Sequence, residues 1–224
     1  MNAVCLLFSG RRGLDDLVLR ESVLRIPEVS RRLNEAQKLI ESLLPEECED
    51  IDFFSHLQSS EDVFGSKQKL KSLLSSIVQI GLFDRYVRYR NRPEILVGPF
   101  NGCSAMLVCA DRQSFGEFIA ESEFFQDLAG TEKKMTHLSG LKIEKYGVLC
   151  WNNEGAYEDY SFEAKEVSTI MQDLQQENLF QNCVLVGPHT QFRTEEFVDA
   201  GLNDIQMVNS IDMDPILSSF WRSA

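Results

Sequence analysis

The residues best placed for chemistry lie in Glu94-Ile95-Leu96-Val97-Gly98-Pro99-Phe100-Asn101-Gly102-Cys103-Ser104-Ala105. A short apolar run leads into a Gly-bounded turn and then into small residues suited to a buried helix. This is the frame G-x-S-x-G, in which a sharp strand-to-helix turn holds a serine at its tip for nucleophilic attack. Gly98 and Gly102 supply both glycines, but the tip residue is Phe100. A phenyl ring cannot attack a carbonyl. The frame of a nucleophile is present without the nucleophile.

Other groups near the turn are weaker candidates. Cys103 and Ser104 sit one turn into the predicted helix, with no adjacent base to activate them, so packing against a sheet is their plainer role. Arg11 and Arg12 follow the first predicted strand and would face the helix N-terminus at Asn101, whose free N–H groups suit an anion. An anion site built from Arg11, Gly98, Asn101 and Gly102 is one reading. A pair of solvated turn arginines is the other. His56, His137 and His189 fall in no ligand-spaced cluster, and no C-x-x-C pair occurs among the six cysteines. Neither a metal nor a cofactor is expected. The cysteines, several inside apolar runs, read as reduced core thiols of a cytoplasmic protein.

The elements that must position this turn follow from the rest of the chain. With 22 Lys and Arg against 35 Asp and Glu, the formal charge of the 224 residues is −13. That balance argues against a nucleic-acid or anionic-membrane partner, both of which reward clustered positive charge. The N-terminal apolar run is too short for a signal peptide, and no window approaches a membrane span.

Residues 2–8 read as a buried strand, and residues 14–24 carry apolar groups at helical spacing. Pro27 opens a helix with Val29, Leu33, Ala36, Ile40 and Leu43/Leu44 on one face. The acidic run from Glu46 to Asp52 reads as a solvated face. A long helix spans 66–89, with Arg85, Arg88 and Arg90 at its C-terminal end, where the macrodipole favours cations. Arg92-Pro93 stops it. A strand over 94–97, a buried helix over 101–110 and an amphipathic helix over 113–125 follow. Residues 129–145 read as loop with some helix, and 146–151 as a strand closed by a polar turn at 152–155. A helix over 162–177, a strand over 182–186, a helix over 195–200, a strand over 205–209 and a helix over 215–221 complete the chain. Alternating strands and helices predict a single α/β domain over 1–224, a mostly parallel sheet flanked by helices.

Several landmarks fall in the order seen in the acyl-carrier-protein S-malonyltransferases and polyketide synthase acyltransferases. The segment from Arg92 to Asp111 resembles, without a gap, that family's R-P-D-x-V-x-G-H-S-x-G-E-x-A-A-L-x-A-A-G. Phe8-Ser9-Gly10-Arg11-Arg12-Gly13 stands where the family has F-P-G-Q-G-x-Q. Ser114-Phe115-Gly116-Glu117 loosely matches its S-x-E-D helix start. Val186-Gly187-Pro188-His189 and Val208-Asn209-Ser210-Ile211-Asp212 are similar to its C-terminal landmarks.

The resemblance implies an acyltransferase (α/β-hydrolase-like) core, with the small ferredoxin-like subdomain absent or reduced, since the missing length lies between the turn helix and Tyr146. It also implies a degenerate active site. The family serine maps to Phe100, its preceding histidine to Pro99 and its oxyanion-hole glutamine to Arg11. The general-base histidine corresponds at best to His137, and no arginine stands between Ala120 and Phe125 to pair with a malonyl carboxylate. Phe100 is expected to plug the former acyl pocket. The resemblance thus implies an inactive protein that binds or scaffolds in acyl carrier protein-linked fatty acid or polyketide metabolism. Its partners would be an acyl carrier protein, a synthase subunit or a second copy. The alternatives are an active acyltransferase or thioester hydrolase using another nucleophile, and an unrelated α/β protein with a chance Gly-x-x-x-Gly turn.

Overall fold

The computed structural model describes residues 4–8, 14, 17–46, 51–59, 67–99, 105–130, 146–165, 167–177, 182–186 and 206–209. The apolar run at the N-terminus forms β1 (Val4–Phe8), and the run before the glycine turn forms β2 (Ile95–Pro99). The remaining strands are β3 (Tyr146–Trp151), β4 (Tyr157–Lys165), β5 (Asn182–Val186) and β6 (Gln206–Asn209). They make one six-stranded sheet in the order β4-β3-β2-β1-β5-β6.

β2, β1, β5 and β6 run parallel, with Cys5 opposite Ile95 on one side and Cys183 on the other. β3 and β4 join antiparallel. The α/β class is as expected, and the sheet is mixed because β3 alone runs against the other five strands. After β3 a tight turn sends the chain straight back into β4. The Asn152 side-chain oxygen accepts from the N–H groups of Glu154 (3.0 Å) and Ala156 (2.9 Å), and Gly155 takes φ 84°. A hairpin therefore follows, and β4 takes the first residues of the helix expected over 162–177. That helix is α8 (Val167–Gln176).

On β1, β2 and β3, Leu6, Phe8, Leu96 and Leu149 join the main core. The alternate residues Cys5, Leu7, Ile95, Val97 and Val148 are buried too, outside that core cluster. Both faces of the sheet are thus covered, which is why these strands read as unbroken apolar runs.

The main core is completed by α2 (Pro27–Leu43), α3 (Phe53–Gln58), α4 (Gln68–Tyr89), α5 (Ala105–Cys109), α6 (Phe115–Glu121) and α7 (Glu123–Leu128), with α1 (Leu17–Val23) ahead of them. Val29, Leu33, Ala36 and Ile40 of the predicted α2 stripe are buried, but Leu43 at its end is 53% exposed. Where α2 crosses α4, a Cβ on Gly81 would stand 2.6 Å from the Val29 Cα and 2.9 Å from its backbone N. Only a glycine permits this approach.

The first turn of α2 meets the last turn of α4. Glu28, 5% exposed, accepts from Arg88 (2.6 Å) and Arg85 (3.4 Å), while Asp84 accepts from Arg32 (2.7 Å) and Arg31 (2.9 Å). Burial raises the Glu28 pKa, but the Arg88 hydrogen bond and the two nearby positive charges outweigh it and hold the carboxyl below its ordinary value.

Two helical expectations needed revision. Asp52 ends the acidic run as an N-cap, accepting from the N–H groups of Phe54 (2.9 Å) and Ser55 (3.3 Å). It starts α3, whose Phe53 and Leu57 are buried. The helix expected over 113–125 is two helices. Ser114 opens α6 with a capping box shared with Glu117, and Ser122 both ends α6 and caps α7 through the Phe125 N–H at 3.2 Å. Among the described residues no helix is long and apolar enough to cross a membrane. The helices expected over 195–200 and 215–221 lie outside the described residues, as does the region 131–145.

Candidate functional site

The strand that leads into the turn frame is anchored by the three residues that precede it. The Glu94 carboxylate accepts from the Val4 N–H at 2.7 Å, and the Glu94 carbonyl accepts from the Trp151 N–H at 2.7 Å. One residue thereby ties the start of β2 to β1 and to β3. The Pro93 carbonyl accepts from the buried Tyr157 hydroxyl at 2.7 Å. Burial, only partly opposed by the Arg92 charge, pushes that phenol well above its ordinary pKa, so it acts as a fixed donor. The Arg92 guanidinium lies 4.9 Å from the Trp151 ring centre, 5.7 Å from that of Tyr157 and 5.9 Å from that of Phe83. It also pairs with Asp111 at 3.3 Å. These groups fix the start of β2, the strand that leads toward the turn.

β2 then reaches Gly98. A Cβ there would stand 3.0 Å from the Met106 Cβ, 3.2 Å from its Sδ and 3.2 Å from the Phe8 Cβ. The glycine lets α5 sit close on the strand it has just left, as a tight strand–turn–helix requires. Pro99 ends the strand opposite Tyr146. The last β1–β2 pair is Leu7–Val97, so its missing N–H costs no bond to β1.

α5 ends in a Schellman motif. The Arg112 N–H donates to the Leu107 carbonyl (2.9 Å), and the Asp111 N–H donates to that of Val108 (3.1 Å). Asp111 takes φ 59°, a conformation that favours glycine. Arg112 continues to the hairpin, donating to the Tyr157 carbonyl at 3.1 Å and pairing with Asp159 at 3.4 Å. Asp111→Gly is expected to hold or raise stability by up to about 1 kcal/mol, since the pair it loses is on a carboxylate 77% exposed. Asp111→Val should lose about 1–2 kcal/mol. Urea unfolding of both variants checks this, and a valine variant as stable as the natural chain would refute the strain argument.

Of the predicted site residues, Gly98 and Pro99 are placed, and Gly98 is brought against Phe8 and Met106. Arg11, Phe100, Asn101, Gly102 and His137 lie outside the described residues, as do Arg12, Cys103, Ser104 and His189. Sequence reading missed one feature that strand order supplies. From β1 the chain goes on to β2 on one side, while β5 and β6 lie on the other. The carboxyl ends of β1 and β5, Phe8 and Val186, thus flank a topological switch point, where open α/β sheets receive ligands. The carboxyl end of β2 is beside them, so the candidate turn begins at that edge.

Two of the described thiols are shifted away from the thiolate form. Burial, then the Asp84 charge, pushes the Cys109 thiol well above its ordinary pKa, and burial with the Glu177 charge raises Cys150 to about 11. His56 is occupied at the end of α3, its Nδ1–H donating to the Asp52 carbonyl at 2.7 Å while Lys67 meets Nε2 at 3.0 Å. Among the described residues no three His, Cys, Asp or Glu side chains are grouped to hold a metal ion. No family model, no curated protein and no solved structure matches the chain.

Proposed function

We propose that this chain is a degenerate relative of the acyl-carrier-protein malonyltransferases that has lost its nucleophile and works by binding, alongside an acyl carrier protein or a synthase subunit. One observation carries the reading. Within the segment from Arg92 to Asp111, a strand ends at Pro99 and a short helix begins at Ala105 and closes in a left-handed residue. Asp111 takes φ 59° at the position where the family motif ends in glycine, and Gly98 lies under Met106 where the motif has its first glycine. Phe100 replaces the attacking serine, and the described thiols of Cys109 and Cys150 are held protonated.

Phe100→Ser, combined with Pro99→His and Arg11→Gln, tests this. The variant and the natural chain are incubated with malonyl- and acetyl-thioesters and read by intact mass. An acyl adduct on Ser in the variant alone is the expected result. An adduct on the natural chain would mean an active enzyme. No adduct on a variant that keeps its circular dichroism would overturn the acyltransferase frame.

A further inference from the structure

We propose that the arginine-rich surface between the start of α2 and the end of α4 docks an acidic segment of a partner protein; this rests on the reading that the chain works by binding. Glu28 and Asp84 each engage two guanidinium groups, those of Arg85 and Arg88 and those of Arg31 and Arg32. The carboxylates sit inward, Glu28 at 5% side-chain exposure and Asp84 at 18%. Arg31 and Arg88 face outward at 64% and 61%. Glu35, 46% exposed, also pairs with Arg32 at 3.0 Å, so three anions stand against four cations and a small positive excess remains, in a chain whose formal charge is −13. Arg90, also exposed, adds to it.

The macrodipole accounts for Arg88 in the last turn of α4 but not for Arg31, which lies in the second turn of α2. The buried carboxylates also hold the guanidinium groups in place, so less side-chain freedom is lost when an anion arrives. Beside them Tyr89 is 62% exposed, with Arg85 and Arg88 over its ring at 4.5 and 5.6 Å. Tyr and Arg dominate protein-interface hot spots, and the ring offers an apolar anchor within the charged patch. A shallow cleft lined by Pro27, Glu28, Arg31, Asp84, Val87 and Arg88 runs alongside. Each cation already shares a carboxylate and the whole chain is acidic, so a polyphosphate surface fits less well than spaced carboxylates.

The probe is a short fluorescein-labelled peptide rich in Glu and Leu, titrated with the full chain by anisotropy at low and physiological salt. Salt-sensitive binding is expected, weakened about tenfold by the triple variant Arg31→Gln, Arg88→Gln, Arg90→Gln. Tyr89→Ala should weaken it severalfold without changing the salt slope. Lys69→Gln, which removes the exposed pair with Asp127 at the other end of α4, should leave it unchanged. If the triple variant unfolds, Arg90→Gln alone serves, since Arg90 pairs with neither buried carboxylate, and it must still weaken binding. Equal binding by the arginine variants and the natural chain overturns the proposal. So does equal binding of a peptide with Gln in place of Glu, or full displacement by phosphatidylserine vesicles. Acyl labelling of the Phe100→Ser variant without peptide binding would sink this surface alone. Peptide binding without labelling would sink the acyltransferase reading alone.

Discussion

Gly81→Ala is expected to cost about 3 kcal/mol of unfolding free energy, although alanine is the better helix former. In an exposed helix the same change would gain up to about 1 kcal/mol. Here the new Cβ meets backbone, with the Val29 Cα at 2.6 Å and its N at 2.9 Å. Backbone cannot rotate aside, so α2 and α4 must move apart along their whole contact. The Glu28 and Asp84 ion pairs, which bridge the same two helices, would be stretched with it. The Val29 Cγ2 also stands 2.9 Å away, which supplies a control. Val29→Gly added to Gly81→Ala relieves that contact and leaves the backbone clash, so it should not restore stability. Urea unfolding followed by circular dichroism decides the matter. A loss below about 1 kcal/mol, or rescue by Val29→Gly, would show that the helices adjust freely.

The second large effect is expected at Gly98, with a different character. Its close neighbours are side chains, the Met106 Cβ and Sδ and the Phe8 Cβ. Methionine is flexible, so Gly98→Ala should cost only about 1 kcal/mol, while Gly98→Val should cost about 3 kcal/mol by pushing α5 off the sheet. Met106→Ala makes room on the helix side. The double variant Gly98→Val, Met106→Ala should therefore be more stable than the sum of its parts by at least about 1 kcal/mol. A coupling near zero in that cycle would mean that Gly98 does not set the distance between β2 and α5. The measurement also bears on the candidate site, because the turn between these two elements takes its geometry from that distance.

Much of this architecture was legible in the chain because it depends on local pattern. β3 and β5 match the expected strands, and α2 and α4 follow from apolar spacing that the tertiary core then uses. β4 was not legible. Glu158, Asp159 and Tyr160 are exposed, so this strand lacks the apolar run that marked the others, and its pairing depends on the turn at Asn152. α3 was hidden because Asp52 was read as one charge among several, when its carboxylate caps a helix. At the candidate site the two glycines and the missing serine were plain from spacing. The work of Arg92 and Glu94 was not, since their partners Trp151 and Val4 are distant in sequence. Gly81 carried no signal either, because only the crossing helix gives it meaning.

The placement of β1 also governs how the chain must fold. Its Cys5 pairs with Ile95 on one side and Cys183 on the other, so this strand at the middle of the sheet precedes the other five and waits for β5 to close its second edge. During synthesis, β1 can gain β2 once α4 has emerged, but its other edge stays open until β5 follows. Contacts so far apart close slowly, and an unpaired apolar edge invites association meanwhile. Chains halted before residue 182 would carry that edge permanently, and they should aggregate where the full chain does not.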